Sequence, residues 1–406
     1  MGKRILAGFI ILVLLPALGL AAPGQNGDFF PPLPGDARDI TDMCDITVSS
    51  QQGEQGSLSD RDFLTVWGGG TARKHVEIVC AEKAYGLYIC WKDAPEAWKL
   101  TQETEGVVSE TSYKAGGFLH QFIPLKGADR LRLEPEGSSR DWFGVREIYV
   151  FSKGNIPSFV QQWQWPDSQC DLMLFTAHPD DEMLFFGGLL PTYAGEYQKD
   201  VVVSLLTPSS GLRPSELLNA LWLAGVTQYP VLGPFQDKNS NSLEKAYRQF
   251  DKATVYSYVV GMLRKYRPTV VVTHDINGEY GHGMHSICAN SAVSAFDLAA
   301  NEKKYSASAK EFGVFQVQKL YLHLYPDNPL IMDWDQGLKS FHGLTGFEVA
   351  RQGYQEHASQ HQYEHFVVEP FLSDLSSYHF GLYKTRVGED VYKNDFLENT
   401  AAALFP

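Results

Sequence analysis

The stretch that decides the fold is DLMLFTAHPDDE, residues 171–182, in which an apolar run passes directly into polar side chains. Residues 171–176 predict a buried strand, and residues 182–190 predict the helix that follows it. His178, Asp180 and Asp181 are therefore expected at the carboxyl end of a strand. An acidic pair in this place could also do no more than cap the next helix.

The sequence after this stretch keeps alternating between strand and helix patterns. Further strands are predicted at 201–207, 231–232, 269–273 and 320–324, with helices at 214–224, 243–265 and 285–299. Such alternation predicts a three-layer, Rossmann-like α/β fold with a mostly parallel sheet and helices on both faces. In folds of this class the site lies outside the carboxyl ends of the strands.

A second polar cluster follows the strand predicted at 269–273. His274 and Asp275 end that strand, and a loop leads to Tyr280, His282 and His285 as a helix begins. Two histidines at this spacing are, taken alone, more often an exposed helix face. Because both clusters fall at the same edge of one predicted sheet, they predict a site of one carboxylate and two imidazoles with a position left for water. This is the donor set of catalytic zinc.

The first part of the chain has a different pattern. From Asp45 to about Ser152, short alternating or apolar runs are separated by glycine-containing turns, which predicts a β-sandwich. The expected organisation is a signal peptide at 1–21, a β-sandwich at 22–153, a linker at 154–168 and the α/β domain at 169–406.

The N-terminus predicts export. Lys3 and Arg4 precede an apolar run over residues 5–15 and then small residues, as in a signal peptide. That run is shorter than the roughly 20 residues that span a bilayer, and no cysteine follows it to carry a lipid. We therefore expect a secreted chain without a membrane anchor. The formal net charge of −14 argues against a nucleic-acid partner and fits a neutral substrate.

The five cysteines are few for an exported protein, so disulfides do not define the fold. Cys80 and Cys90 end two apolar runs that could pair as neighbouring strands. A bridge between them and two reduced core thiols are both compatible with the sequence. Cys288, one helical turn after His285, is interpreted as a core residue.

The α/β half resembles the PIG-L/LmbE-like N-acetylglucosaminyl deacetylase family. The motifs that carry the resemblance are Ala177-His178-Pro179-Asp180-Asp181-Glu182 and His282-x-x-His285, supported by Arg213-x-x-Glu216 and by Asp237 after Leu232-Gly233. The resemblance covers roughly residues 171–399.

The resemblance implies a role for each of these residues. It implies that His178, Asp181 and His285 hold Zn²⁺ and that Asp180 is the general base toward water at the metal. The remaining positions have supporting roles: Tyr280 with zinc as oxyanion stabiliser, His282 as a cationic or acid partner, and Arg213 and Asp237 as contacts to sugar hydroxyls.

The chain departs from the family at one position. The family often has an aspartate just before the last ligand, where it can orient the first histidine of the pair, and here that residue is Met284. Asp275 or Asn277 could replace it. His274 is interpreted as a structural histidine at the strand end, and His357 could either line the cleft or be a buried, hydrogen-bonded residue.

The N-terminal half resembles the discoidin-like, galactose-binding jelly rolls. The carrying stretches are residues 57–62 with Trp67, residues 86–89 and residues 142–150. Such modules bind glycans or serve as spacers, so a glycan ligand of the β-sandwich is a possible partner. Trp67, Trp91, Trp98 and Trp142 could stack on sugars, although packing in the core or at its edge is the better explanation for most of them.

These observations predict a secreted, zinc-dependent hydrolase that removes the acetyl group from an N-acetylglucosamine-type sugar or glycan. Two alternatives remain open. The same site could cleave another acyl group from an amino-sugar conjugate, or the chain could be a glycan-binding protein with an inactive hydrolase domain. Retention of the base and all three ligands argues against the inactive alternative.

Overall fold

The computed structural model describes residues 36–49, 55–68, 74–136, 144–363 and 365–405. The predicted signal peptide and Trp142 lie outside these ranges. Within them, none of the helices has the length and apolar character needed to cross a bilayer.

The N-terminal strands pair antiparallel throughout the described residues. Their bounds are β1 Cys44–Val48, β2 Trp67–Gly68, β3 Val76–Trp91, β4 Trp98–Thr104, β5 Val107–Tyr113, β6 His120–Pro135 and β7 Gly144–Phe151. The order is β2-β7-β3-β6-β4-β5, with β1 beside β3.

Strands β3 and β6 are long, and each pairs with more than one neighbouring strand. The first part of β3 pairs with β1, and its second part pairs with β7, with register shifts between Val79 and Gly86. The apolar runs of the sequence suggested two separate strands in each case. Glu82 and Lys83 interrupt the apolar pattern of β3, and the turn-like residues 126–129 interrupt that of β6. Strands β4 and β5 were not predicted, since β5 is almost wholly exposed and carries little apolar signal.

The buried tryptophans of this half belong to its core. Trp67, Trp91 and Trp98 are fully buried, so their rings pack internally. Cys80 and Cys90 both lie on β3, so the expectation that they end neighbouring strands is wrong. The residue opposite Cys80 is Cys44 on β1.

The second sheet is mostly parallel, as the sequence predicted. Its strands are β8 Cys170–Thr176, β9 Val201–Leu205, β10 Val231–Leu232, β11 Pro268–Thr273, β12 Lys319–His323, β13 Pro329–Ile331 and β14 His379–Thr385. The order is β10-β9-β8-β11-β12-β14-β13, and β14 pairs antiparallel with both β12 and β13. This antiparallel edge was not predicted, because β13 has only three residues and β14 is only partly buried, so neither strand has a long apolar pattern.

The helices of this half differ from the prediction mainly at their ends. They are α1 Asp181–Leu184, α2 Arg213–Leu223, α3 Leu243–Gln249, α4 Lys252–Tyr266, α5 Gly283–Leu298, α6 Ser306–Phe312 and α7 Gly346–Gln355. The single helix expected at 243–265 is two helices, because Phe250 is extended and the Asp251 side chain caps α4.

Helix α1 is much shorter than the predicted helix at 182–190. Gly187 has φ +48°, and a side chain at Gly188 would collide with the ring of Trp334. These glycines let the chain turn tightly over the sheet, and Pro191 then begins a separate π-helical turn. The polar motif is therefore followed by one helical turn and then a compact loop.

Alternate residues of the parallel strands pack into two different cores. Leu172, Leu174 and Val203 pack in a core with α2 and α7 residues, whereas Met173 and Phe175 pack with residues of α4 and α5. The sheet thus has helices on both sides. Because both faces of the sheet are covered, a site is expected at the ends of the strands.

The two sheets meet through a packed connection. Val160, Gln161 and Trp163, within the segment expected to be a linker, are buried. The Leu119 N–H donates to the Tyr229 hydroxyl at 3.2 Å. Side chains of both halves also belong to one continuous core.

Candidate active site

The two polar motifs meet at the carboxyl ends of adjacent strands. Strands β8 and β11 are neighbours and parallel, with Thr273 opposite Phe175. The residues that follow them, 177–182 and 274–285, are therefore brought to the same edge of the sheet. The juxtaposition expected from the sequence is present.

Three predicted ligands present their donor atoms to one another. His285 Nε2 lies 3.3 Å from His178 Nδ1 and 3.3 Å from an Asp181 oxygen. The other Asp181 oxygen is 3.5 Å from His178 Nδ1. Donors bound tetrahedrally to zinc at about 2.0–2.1 Å are separated by roughly 3.3 Å, so these spacings fit that ion.

Each imidazole is oriented by a carboxylate on its other nitrogen. His178 Nε2 contacts Asp237 at 3.1 Å, and His285 Nδ1 contacts Glu279 at 2.8 Å. Such partners hold the proton on the outer nitrogen and leave a lone pair on the inner one. This arrangement is the usual environment of histidines that bind metal, so the residues fit the zinc that the sequence predicts.

His274 lies beside this group but is poorly suited to be a ligand. Its ring stacks on that of His285 with centroids 4.2 Å apart. Burial alone would lower its pKa, but Glu279 and Asp181 outweigh burial and raise the pKa to about 9. Its Nδ1 contacts Glu279 at 2.7 Å, and its Nε2 lies 3.0 Å from the Ala177 nitrogen and 3.2 Å from an Asp181 oxygen, so both ring nitrogens already have partners within the protein. These contacts fit the structural interpretation of His274. Among the described residues, two groups of donors are close enough to hold an ion, and they are His178, His282 and His285, and Asp181, His274 and His285.

Glu279 is the central buried acceptor, and the sequence analysis missed it. Its carboxylate contacts His274 Nδ1 at 2.7 Å, His285 Nδ1 at 2.8 Å and His323 Nδ1 at 2.6 Å. Burial opposes ionisation, but the three imidazoles hold its pKa well below the usual range. The available signal was His323, which ends β12 at the same edge of the sheet.

His282 is near the other imidazoles but lacks an orienting partner. Its Nδ1 is buried without a hydrogen-bond partner among the described residues, and Met284 is buried in the core. The proposed substitutes pair with each other, since Asp275 accepts the Asn277 N–H at 2.7 Å. Burial and the neighbouring His285 and His178 lower the pKa of His282 to about 3, so the ring is neutral near pH 7.

Asp180 has a different environment from Asp181. It adopts φ 120°, a conformation that few non-glycine residues adopt, and its N–H donates to Glu182 at 2.9 Å. Its carboxylate lies 3.2 Å from Arg213. Burial, followed by the charge of Asp181, raises the pKa of Asp180 to about 7.

Glu182 and His357 support the backbone of Asp180. His357 Nε2 contacts Glu182 at 2.6 Å, and both side chains are fully buried. Glu182 uses its other oxygen to accept the Asp180 N–H. His357 is therefore a buried, hydrogen-bonded histidine, one of the two alternatives left open by the sequence.

Arg213 and Asp237 reach the site, but they contact protein groups. Arg213 pairs with Asp180 and donates to the Pro179 carbonyl oxygen. Asp237 contacts His178, and its side chain remains 39% exposed. These contacts indicate a structural role for both residues that the sequence did not predict, and their role in gripping sugar hydroxyls stays a prediction.

Tyr280 stands at the open side of the site. Its ring lies 5.4 Å from that of His285 and 5.8 Å from that of His282. It is 53% exposed and has φ +45°. The preceding Gly278 has φ +76°, and a side chain there would collide with the His282 carbonyl oxygen, so the tight loop requires glycine.

The chain contains a PIG-L family domain. Residues 173–296 match the family described as "PIG-L: GlcNAc-PI de-N-acetylase". This segment includes the three candidate ligands, Asp180 and Tyr280. The family resemblance expected from the two motifs is confirmed for this part of the chain.

A curated relative is a deacetylase. The 1D-myo-inositol 2-acetamido-2-deoxy-alpha-D-glucopyranoside deacetylase 1 of Catenulispora acidiphila is 29% identical over 211 residues, covering 45% of this chain and 64% of the relative. The chain thus spans less than two thirds of that relative's length.

Two solved structures show weaker similarity. One is N,N'-diacetylchitobiose deacetylase from Pyrococcus horikoshii, at 17% identity and TM-score 0.37 over 48% of this chain and 70% of that one. The other is a family 32 CBM of C. perfringens NanJ in complex with galactose, at 11% identity and TM-score 0.24 over 29% and 99%. Similarities at this level support no inference about fold or activity.

Proposed function

We propose that the protein is a secreted, zinc-dependent N-deacetylase that releases acetate from an N-acetylglucosamine-containing sugar or glycan. The site belongs to a three-layer, Rossmann-like domain preceded by a β-sandwich. The PIG-L match and the deacetylase activity named for the relative support the reaction class. Export is proposed from the N-terminal sequence pattern alone.

The arrangement of His178, Asp181 and His285 carries this proposal. Two imidazoles, each held by a carboxylate on its outer nitrogen, present their inner nitrogens 3.3 Å apart. Asp181 completes the set within 3.5 Å. Three protein donors with room for water are typical of catalytic zinc.

Zinc bound by these residues would supply a polarised water at neutral pH and a Lewis acid for the acetamide carbonyl. Asp180 receives the proton as water attacks the carbonyl carbon. It returns that proton to the nitrogen as the C–N bond breaks, which yields a free amine and acetic acid, and the acid then ionises to acetate. Arg213 holds the Asp180 carboxylate in place at 3.2 Å.

Tyr280 and His282 lie beside the candidate ligand His285. The Tyr280 hydroxyl is a donor at a partly exposed position, which suits stabilisation of the negative charge that develops on the carbonyl oxygen. His282 is neutral, so it would act as a hydrogen-bonding group rather than a cation. The exposed fraction of Asp237 is free for a sugar hydroxyl.

The test is acetate release by zinc-loaded, full-length protein from a panel of substrates. The panel should contain N-acetylglucosamine, its inositol glycoside, chitooligosaccharides and matching N-propionyl sugars. We expect zinc-dependent acetate release and none from the His285→Ala variant. Preference for the propionyl compounds would favour the alternative acyl amidase, and no turnover in the panel with zinc bound would contradict the proposal.

A further inference from the structure

A cleft that the proposed reaction does not use lies beside the first sheet. It encloses about 300 Å³ and is lined chiefly by Trp98, Tyr113, Lys114, Phe118, Gln121 and Trp165. This volume is at the lower end of the range for small-ligand pockets, about 300–1,000 Å³. The lining combines the turn between β5 and β6 with a residue from the connection to the second sheet.

Aromatic rings form a prebuilt surface in the cleft. Trp165 is 58% exposed, and its ring packs against Phe118 with centroids 4.6 Å apart and against Tyr229 at 5.3 Å. Tyr113 stacks on the fully buried Trp98 at 4.3 Å. These contacts hold the rings in place before a ligand binds, which lowers the entropic cost of binding.

The polar groups of the cleft suit a ligand rich in hydroxyls. Gln121 accepts from Trp91 Nε1 at 3.3 Å, and its amide nitrogen has no partner among the described side chains. Lys114 is exposed at the rim. None of the described lining residues is acidic, although the chain has a net charge of −14.

We propose that this cleft binds a pyranose unit of a glycan. One face of a pyranose consists of C–H groups that pack on an aromatic ring, while its hydroxyls accept from an amide or an ammonium group. The combination of Trp165, Phe118 and Gln121 provides both kinds of contact.

The position of the cleft indicates an extended glycan. Trp165 follows Gln164, which bridges to Gln228 ahead of β10, so the cleft is at the amino ends of the parallel strands. The proposed active site is at their carboxyl ends, about 20 Å away along a strand. One sugar cannot occupy both places, so the cleft would anchor a distant unit of the chain. That the anchored glycan is also the substrate rests on the proposed function.

The test measures binding by the full-length chain separately from turnover. The probes are N-acetylglucosamine oligomers, galactose-containing oligomers and uronic-acid oligomers, titrated by calorimetry. Trp165→Ala should weaken binding of the preferred oligomer about tenfold or more, with a smaller loss in Trp165→Tyr. Gln121→Ala is a second variant, and Tyr392→Ala, an exposed aromatic outside the cleft, is the matched control.

The outcomes separate this proposal from the proposed function. Weakened binding in Trp165→Ala with unchanged kcat/KM on a monomeric substrate supports the cleft. Unchanged affinity in both cleft variants, or no binding of any probe by the parent protein, overturns it. Oligomer binding that depends on Trp165 in a protein without deacetylase activity would contradict the proposed function only.

Discussion

Asp180 and Asp181 are neighbours in the sequence, but their side chains have different surroundings. Asp181 accepts from the Ala177 and His178 N–H groups and lies beside His285. Asp180 faces Arg213. Their positions fit the separate roles of ligand and base that the sequence suggested.

We therefore expect opposite effects from two isosteric substitutions. Asp180→Asn should retain zinc while kcat falls about 10²–10⁴-fold, the usual contribution of general acid–base catalysis. Asp181→Asn should lose zinc first and activity as a consequence. Zinc content and steady-state kinetics of both variants provide the measurement.

The result can contradict the assignment in two ways. Loss of zinc from Asp180→Asn with retention in Asp181→Asn would reverse the two roles. An active, zinc-loaded Asp180→Asn variant would exclude Asp180 as the base.

Glu279 provides a second prediction for a single residue. It contacts His285 on the nitrogen that faces away from the site. Glu279→Gln keeps the shape but turns one acceptor into a donor, so the orientation of His285 should weaken. Loss of such a partner typically lowers metal affinity about 10–100-fold, which competition with a chelator would measure.

A buried carboxylate elsewhere provides the control for Glu279→Gln. Asp390 pairs with Lys319 and Tyr321 in the second half of the chain. Asp390→Asn should lower the melting temperature without changing zinc affinity. If both variants lose stability and neither loses zinc affinity, Glu279 is a structural residue only.

The pairing of β1 with β3 places two thiols opposite each other. Cys44 and Cys80 are partners in the antiparallel register and both are free and partly exposed. Opposed residues have Cα atoms about 4.5–5.5 Å apart, within the range that a disulfide bridges. The sequence had suggested Cys80 and Cys90 instead, because the length of β3 was not apparent from its interrupted pattern.

We expect Cys44 and Cys80 to form a disulfide when treated with oxidised glutathione, which takes up the two electrons and two protons. The bridge should raise the free energy of unfolding by about 2–4 kcal/mol. Peptide mapping without reductant identifies the bridge, and denaturation with and without reductant measures its effect. Cys44→Ser is the control, and a Cys80 thiol that stays free under these conditions would contradict the prediction.

Buried strands were easier to predict from the sequence than exposed strands. Strands β8 and β11 are apolar along their length because both faces of the sheet are covered, so their boundaries were visible in the sequence. Strand β5 has a weak apolar signal because hydrogen bonding to β4, rather than burial, places it.

At the scale of the whole molecule, a buried polar network joins the two halves. His120 Nδ1 contacts Gln161 at 2.8 Å, and Gln161 donates to Asn219 at 2.8 Å. Trp163 donates to the same Gln161 oxygen at 2.8 Å. The connection between the sheets is therefore a specific interface rather than a flexible tether.

This network predicts a pH dependence of stability. Burial lowers the pKa of His120 from 6.5 to about 4, despite the opposing hydrogen bond that His120 donates to the Gln161 oxygen. The unfolded chain therefore binds a proton below about pH 6.5, whereas the folded chain does so only near pH 4. Stability should fall as the pH drops through this window, by about 2 kcal/mol between pH 7.5 and pH 5.

Urea denaturation at both pH values, compared with His120→Gln, isolates this contribution. Other titrating groups affect both proteins alike, so the variant should lose about 2 kcal/mol less than the parent. Equal losses in the two proteins would show that His120 does not titrate in the expected way.

The sequence by itself predicted the family of the second half and the strand ends at which the candidate site lies. An apolar strand that runs into a polar motif must place that motif at a strand end, and two such strands in one parallel sheet share an edge. The sequence pattern therefore predicted that His178, Asp181 and His285 lie close together. The PIG-L match confirms the family that these motifs suggested.

Only the tertiary structure decided what surrounds these ligands. Glu279 contacts three histidines, one directly after β11, one in α5 and one at the end of β12. Asp237 contacts His178 from a loop after β10. The contacts of Glu279 with His323 and of Asp237 with His178 do not follow from local pattern. A hydrogen bond between residues so far apart in sequence depends on how strands are ordered and how loops return over the sheet. The cleft at Trp165 also depends on the tertiary structure, because Trp165 packs against Phe118 of the first half and Tyr229 of the second.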